Sequence, residues 1–199
     1  MTTQGTPTAD GLDEEFVDEE FVDEDDDAGM TPALAWRGPS IRRWVLFGVL
    51  AIAIIALDQI AKAWVIANLV EGRDATNIIG TYLRVVHGRN SGILFGMLPQ
   101  SGGAFAIVSL VVIGGIMAYH WKSGRGIVTT IALGLLLGGA IGNLLDRLRY
   151  GAVVDWIDMG IGSTRFWTYN IGDAAITTSI IMIIVTAFFP VVASWGTDD

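Results

Sequence analysis

Residues 127–147 read IVTTIALGLLLGGAIGNLLDR, and no charged side chain occurs between Ile127 and Leu145. As a helix rising ~1.5 Å per residue, that run is close to the length needed to cross a hydrocarbon layer of ~30 Å. Its glycines at 134, 138 and 142 recur every four residues. They therefore share one helix face, where a neighbouring backbone can approach closely. At the far end Asn143 and Asp146 lie three apart on one face, followed by Arg147. An apolar span that ends in an amide, an acid and a base predicts a membrane helix whose end is used.

Working outward, three more apolar runs have comparable length. The first is uninterrupted from Trp44 to Leu57 and continues through Asp58 and Lys62 to about Ala67; the second is Ala104–Trp121, and the last runs from Ala174 to about Val192. The predicted fold is a membrane all-α bundle of four transmembrane helices with a small extracytoplasmic β platform. The platform is expected from Tyr82–His87, β-branched and aromatic, which precedes the turn-like Gly88–Gly92, and from the apolar stretch Gly151–Asp158.

Composition agrees with a membrane protein. The 199 residues are 52% hydrophobic and 17% charged, and the mean hydropathy is +0.52, outside the ordinary range of soluble domains. The formal charge of -9 misleads, because 12 of the 21 carboxylates lie between Asp10 and Asp27. The remaining 9 acids face 12 bases, a core charge of about +3. Residues 1–40 read as a disordered acidic cytoplasmic extension containing the tandem repeat Glu14–Asp18 and Glu19–Asp23. Its dense like charge buries too little surface to offset chain entropy. A solvated spacer is the reading, with a docking motif as the alternative; its partner is unknown.

Four spans put both termini on one side. Arg37, Arg42 and Arg43 before span one, and Lys122 and Arg125 between spans two and three, favour the cytoplasm for that side. The domain plan is then a four-span domain over 41–195 and a short cytoplasmic tail at 196–199. Segments 68–103 and 146–173 face outward. Trp44, Trp64, Trp121 and Trp195 fall near span ends, where indole rings favour the headgroup region. His87 and His120 read as interfacial polar residues, while Trp156 and Trp167 flank the acidic segment as lipid or peptide contacts or as surface packing.

Several chemistries lack their residues. There is no cysteine, so thiol catalysis, disulfides and Cys-ligated zinc are excluded. Two histidines without a metal-binding spacing give no support for a His-bound metal, and Ser91 lacks the context of a serine nucleophile. No metal, cofactor or nucleic-acid partner is expected.

Acids remain. Asp58 and Lys62, four apart on span one, share a face and suit an ion pair; a carboxylate at that depth must face protein or water. Asp146, Asp155, Asp158 and Asp173 fall within twenty-eight positions, all near one membrane face, and Asn170-Ile171-Gly172-Asp173 repeats the Asn-x-x-Asp spacing of Asn143 and Asp146. Two close aspartates share a proton, so that one member activates water while the other polarises a scissile carbonyl. On spacing alone, helix capping, ion pairing with the nearby arginines and proton transport remain open. A presenilin-like or prepilin-type peptidase would want G-x-G-D, which is absent, and a transporter would want internal repeats.

Taken in order, these motifs resemble those of the lipoprotein signal peptidase, or signal peptidase II, family. The matching pieces are Asp58-Gln59 with Lys62, Asn90-Ser91-Gly92 with Phe95-Gly96, the run Gly138-Gly139-Ala140-x-Gly142-Asn143-x-x-Asp146-Arg147, Gly151-x-Val153-Val154-Asp155-Trp156, and Tyr169-Asn170-x-Gly172-Asp173. They cover about residues 41–193. The resemblance implies an aspartic endopeptidase at the extracytoplasmic face of the cell membrane, expected to be a monomer. Its substrates would be diacylglyceryl-modified prolipoproteins, cleaved just before the lipidated cysteine.

The resemblance also implies site residues. Asp155 and Asp173 map onto the catalytic dyad. Asn90, Asn143, Arg147 and Asn170 map onto residues that line the cleft or hold substrate or dyad, and Asp58 and Asp146 onto supporting acids; Lys62 is left as structural. Asp158 has no motif role and reads as a solvated strand-end charge. Asp173 opens a helix with Asn170 as its cap, which favours the ionised form. Tyr169, Gly172 and Ile93-Leu94 depart from the family pattern and bear on cleft width.

Overall fold

The computed structural model describes residues 38–91, 102–193 and 195–197. Most of the acidic extension, Gly92, Ile93-Leu94 and Phe95-Gly96 lie outside the described residues. In chain order the elements are α1 (Ile41–Asn68), β1 (Ala75–Ile79), β2 (Leu83–Asn90), α2 (Gly102–Ser123), α3 (Ile127–Tyr150), β3 (Val153–Ile161), β4 (Thr164–Arg165), α4 (Ile171–Phe188) and the short α5 (Pro190–Ala193).

Three helices, α1, α3 and α4, are long and apolar enough to cross a membrane; α2 contributes a shorter apolar stretch, Ile107–Ser123. Their outer faces carry exposed Ile52, Ile60, Leu110, Val111, Ile181 and Ile184. A soluble protein would hide such faces; a lipid-embedded one has no reason to. The chain is a multi-pass membrane protein with a small antiparallel sheet.

α3 is the central helix, with 61% of its apolar window buried against 17% for α1 and α4. The glycine spacing read from the sequence explains how. A β-carbon on Gly134 would lie 3.1 Å from the Phe47 carbonyl oxygen, and one on Gly138 would lie 2.9 Å from that of Ala51, so this face of α3 lies directly on the α1 backbone. Gly139 faces the other way, its imaginary β-carbon 2.4 Å from the Gly172 carbonyl oxygen of α4. Phe47, Ala51, Ile116, Leu133, Leu137 and Ala140 form the apolar core among α1, α2 and α3.

Helix ends fix where the sheet begins. α3 closes on Gly151, whose φ of 71° is left-handed and whose N–H reaches the Arg147 carbonyl at 3.0 Å. α4 opens three residues earlier than its apolar run, because Asn170 and Asp173 form a reciprocal capping box. It ends at Phe188, just before Pro190, which lacks the N–H needed to continue a helix. The last apolar run is therefore a helix followed by a break.

The sheet has the order β1-β2-β3-β4, antiparallel throughout. β2 and β3 fall where the β-branched runs predicted strands; β1 and β4 were not foreseen. A register shift between Val85 and Gly88 sets Gly88 opposite Asp155 and Arg84 opposite Asp158. His87, expected at an interface, is buried and hydrogen-bonds the Leu69 carbonyl oxygen through Nδ1 at 2.9 Å. His120 is buried too, stacked on Phe47 with ring centroids 4.1 Å apart. Local aromatic and backbone surfaces enclose both.

Candidate active site

Four elements meet where the helices give way to the sheet. α1 contributes Asp58, Gln59 and Lys62; α3 contributes Asn143, Asp146 and Arg147; β3 contributes Asp155; and α4 with its cap contributes Asn170 and Asp173. Asp58, Lys62, Asn143, Asp146, Asp155 and Asn170 are all buried. Bringing so many polar groups out of water is tolerable only where each finds a partner.

The floor is built on Lys62. Its ammonium lies 2.6 Å from Asp58 Oδ2 and 2.8 Å from Asp146 Oδ2, and donates to Asn143 Oδ1 at 3.0 Å. One cation between two carboxylates leaves a surplus negative charge, which further donors stabilise. Gly172 N–H donates to Asp58 Oδ1 at 2.9 Å, Val154 N–H to Asp146 Oδ2 at 3.1 Å, and Gln59 Nε2 to Asp146 Oδ1 at 2.9 Å. α1, α3, β3 and α4 are thereby tied at one point. The ion pair read from the i,i+4 spacing is present, but its reach is wider than pairing. Lys62 orients Asn143, whose Nδ2 donates to Asp173 Oδ1 at 2.8 Å.

Above this floor lies a second arrangement without a lysine. Asn170 Nδ2 donates to Asp155 Oδ1 at 2.8 Å, while Asn170 Oδ1 accepts from the Asp173 backbone N–H at 2.9 Å and Asn170 N–H donates to Asp173 Oδ2 at 3.3 Å. One asparagine therefore holds both aspartates. Asn90 adds a side-chain hydrogen bond to Asp155. Arg147 donates to the Asn143 carbonyl oxygen at 3.2 Å and carries its charge close to Asp173, Asp146 and Asp155. Every sequence-predicted site residue is thus gathered in one place.

Asp155 is pushed up to about 6, first by burial and then by the negative charge of Asp173, against the hydrogen bonds of Asn170 and Asn90. A carboxyl so placed takes or gives a proton near neutral pH, as a general acid or base must. Two cavities open beside the pair. A groove of about 780 Å³ runs from Tyr82, Met159 and Phe166 past Tyr169 to Asp173, Ala174 and Thr177; a smaller one of about 280 Å³ meets Asp155 between Asn90, Trp167 and Thr168. Asp155 opens on one and Asp173 on the other, so an extended chain crossing between the cavities would pass both carboxyls.

The residues from α1 to α4 match a family model described as signal peptidase (SPase) II over 50–189. The chain belongs to the signal peptidase II family. These are the proteases that remove signal peptides from prolipoproteins. A lipoprotein signal peptidase of Geobacillus thermodenitrificans is 37% identical over 150 residues, covering 74% of this chain and 92% of the relative, and one of Syntrophomonas wolfei is 35% identical over 133 residues, covering 66% and 85%. Among solved structures, a bacterial membrane enzyme determined by the in meso method at 1.9 Å superposes with a TM-score of 0.69 at 27% identity, covering 77% of this chain and 97% of the other. Another, at 2.3 Å, gives 0.68 at 25% identity, covering 82% and 98%. The signal peptidase II match runs from within α1 to the end of α4 and includes every buried acid among the described residues.

Two residues matter more than their sequence reading allowed. Lys62 is structural, as its sequence reading has it, but with a wider reach: it is the hub through which Asp58, Asp146 and Asn143 are placed, and a lysine inside an apolar span is itself the signal. Gln59, in sequence no more than part of a motif, bridges Asp146, the Gly142 carbonyl oxygen at 3.2 Å and Arg149 at 2.8 Å. Asp158 departs from its sequence reading. It is not a solvated strand-end charge but is buried, and holds Arg84 and Arg165. Though burial pushes its carboxyl up, the hydrogen bonds of those two arginines prevail and hold it below the usual range.

Proposed function

We propose that this signal peptidase II family member is an aspartic endopeptidase, with Asp155 and Asp173 as its catalytic dyad, acting on diacylglyceryl-modified prolipoproteins just before the lipidated cysteine. The observation that carries the reading is the Asn170 side chain, hydrogen-bonded to one aspartate and capping the helix that begins with the other. Such an amide fixes where the two carboxyls stand relative to one another. Asp173 accepts from Asn143 and from the Asn170 backbone, and in this reading it is the partner that takes the proton from water. Asp155, whose affinity for a proton is raised, is the resting proton carrier.

Cleavage then follows from the geometry. The protonated Asp155 carboxyl polarises the scissile carbonyl, and ionised Asp173 takes a proton from the attacking water. Asp173 next returns that proton to the departing amine, and the protonation of the pair is restored. Asn90, Asn143, Arg147 and Asn170 hold the dyad or the substrate backbone; Asp58 and Asp146 support them through Lys62. The apolar groove beside Asp173 suits a substrate that is partly lipid.

In this reading α2 completes four spans, both termini are cytoplasmic, and the site faces outward. The domain over 41–195 is the peptidase, residues 1–40 are an acidic spacer, and 196–199 are a short tail; the enzyme acts as a monomer. The test is cleavage of a diacylglyceryl-modified prolipoprotein by purified protein, with Asp155→Asn and Asp173→Asn each abolishing turnover without loss of folding. Turnover by either variant, or equal activity on unmodified substrate, would overturn the assignment.

A further inference from the structure

At the end of the groove that leads to Asp173, the turn between β1 and β2 lies beside the turn between β3 and β4 and the residues that follow β4, joined by the Gly160 N–H to the Tyr82 carbonyl oxygen at 2.9 Å. Together they expose Ile79, Tyr82, Ile161, Phe166 and Trp167, the last at 86%. Directly beneath sits the Arg84–Asp158–Arg165 cluster. Arg84 donates through Nε to Asp158 Oδ2 at 2.7 Å, Arg165 donates through Nε to Asp158 Oδ1 at 2.9 Å, and Arg165 also donates to the Thr81 carbonyl oxygen at 2.6 Å. Asp158 is the sole acid paired with either arginine among the described residues. Two cations share one carboxylate, so the cluster carries a surplus positive charge.

We propose that this rim is a lipid-docking site: the apolar turns enter the headgroup layer, and the surplus charge of the cluster binds the phosphate of an anionic phospholipid. Exposed tryptophan, tyrosine and phenylalanine are the side chains that settle at a membrane interface. Continuity favours lipid over a protein partner, because the groove that begins at Arg165 and Phe166 continues along Ala174, Thr177 and Thr178 of α4. The same helix presents Ile180, Ile181 and Ile184 outward as lipid-facing residues. The rim is therefore reached from the bilayer itself, at the depth where phosphates lie. Asp158 keeps the two guanidinium groups from swinging into solvent and sets how much charge is left over. This site is independent of which carboxylates perform catalysis.

The full-length protein is reconstituted in phosphatidylcholine vesicles containing either brominated phosphatidylglycerol or brominated phosphatidylcholine at equal mole fraction. Trp167 quenching is taken as the difference between wild type and Trp167→Phe. Phosphatidylglycerol is expected to occupy the site about fivefold better, the value of one surplus basic group at a membrane surface. Arg84→Gln, which leaves Arg165 to pair with Asp158, should bring the two lipids to near equality, whereas Asp158→Asn should widen the preference. Equal quenching by both lipids in wild type, no quenching of Trp167 at all, or an undiminished preference in Arg84→Gln would overturn the proposal. So would loss of the preference on adding excess glycerol 1-phosphate, since the site would then take a soluble anion.

Discussion

Asp155 and Asp158 lie three residues apart on one strand and are almost equally hidden, at 2% and 3% exposure, yet their surroundings drive them in opposite directions. Asp158 is given two guanidinium groups and is held ionised. Asp155 is held by the amides of Asn170 and Asn90; burial and the neighbouring Asp173 carboxylate outweigh those hydrogen bonds and the weaker pull of Lys62, and push it up to about 6. Burial by itself therefore assigns no role to an acid. What decides is the partner set: two guanidinium groups hydrogen-bonded to Asp158, against amides and a second carboxylate around Asp155.

The largest expected effect is on turnover. Asp155→Asn should lower cleavage by at least ~10²–10⁴-fold, the usual worth of a positioned acid or base, while Asp158→Asn leaves it within about threefold; a comparable loss in both would erase the contrast. Next comes the floor below the dyad. Lys62→Met leaves Asp58 and Asp146 buried without their cation, and should cost ~3–5 kcal/mol, read as a fall in the unfolding midpoint in detergent.

Stability against pH should then separate the two strand acids by sign. Asp155 has a raised folded pKa, so its contribution is lost as pH rises from its ordinary value of 3.8 to about 6 and remains a penalty above that. Asp155→Asn should therefore raise stability by ~1–3 kcal/mol at pH 7, since each tenfold change in proton affinity is worth ~1.4 kcal/mol. Asp158 has a lowered folded pKa, so its contribution is present above the ordinary carboxylate value and lost on acidification. Asp158→Asn should lower stability at pH 7 by ~1–3 kcal/mol, and equal signs in thermal melts of the two variants would refute the contrast.

A smaller effect concerns the alkaline limb of kcat/KM. It should begin at about pH 6, where Asp155 gives up its proton, and fall about tenfold per pH unit. Asn90 donates to that carboxylate and holds its pKa down, so Asn90→Ala should move the limb to slightly higher pH, and a downward move would contradict the assigned donor.

Much of this was legible because the signals were local. The glycine repeat of α3 predicted close helix contact and is found against the α1 backbone; the Asn170-to-Asp173 spacing predicted a cap and is found as one. Asp58 and Lys62 predicted their own pairing. What stayed hidden was non-local. The arginines of Asp158 arrive from β2 and from β4, one of them 74 residues away. Lys62 meets Asn143 across 81 residues. β1 and β4 were missed because each is stabilised by its pairing with a longer neighbour. Pairing distances of that kind leave no periodic trace.

The last helix brings both Asn170 and Asp173, and it seats against Gly139 at a distance that leaves no room for a methyl group. A growing chain that has reached only the end of α3 and the sheet carries Asp155 without Asn170 or Asp173. If these two acids are the proposed pair, the order of synthesis itself withholds cutting power until the final segment has been threaded into place.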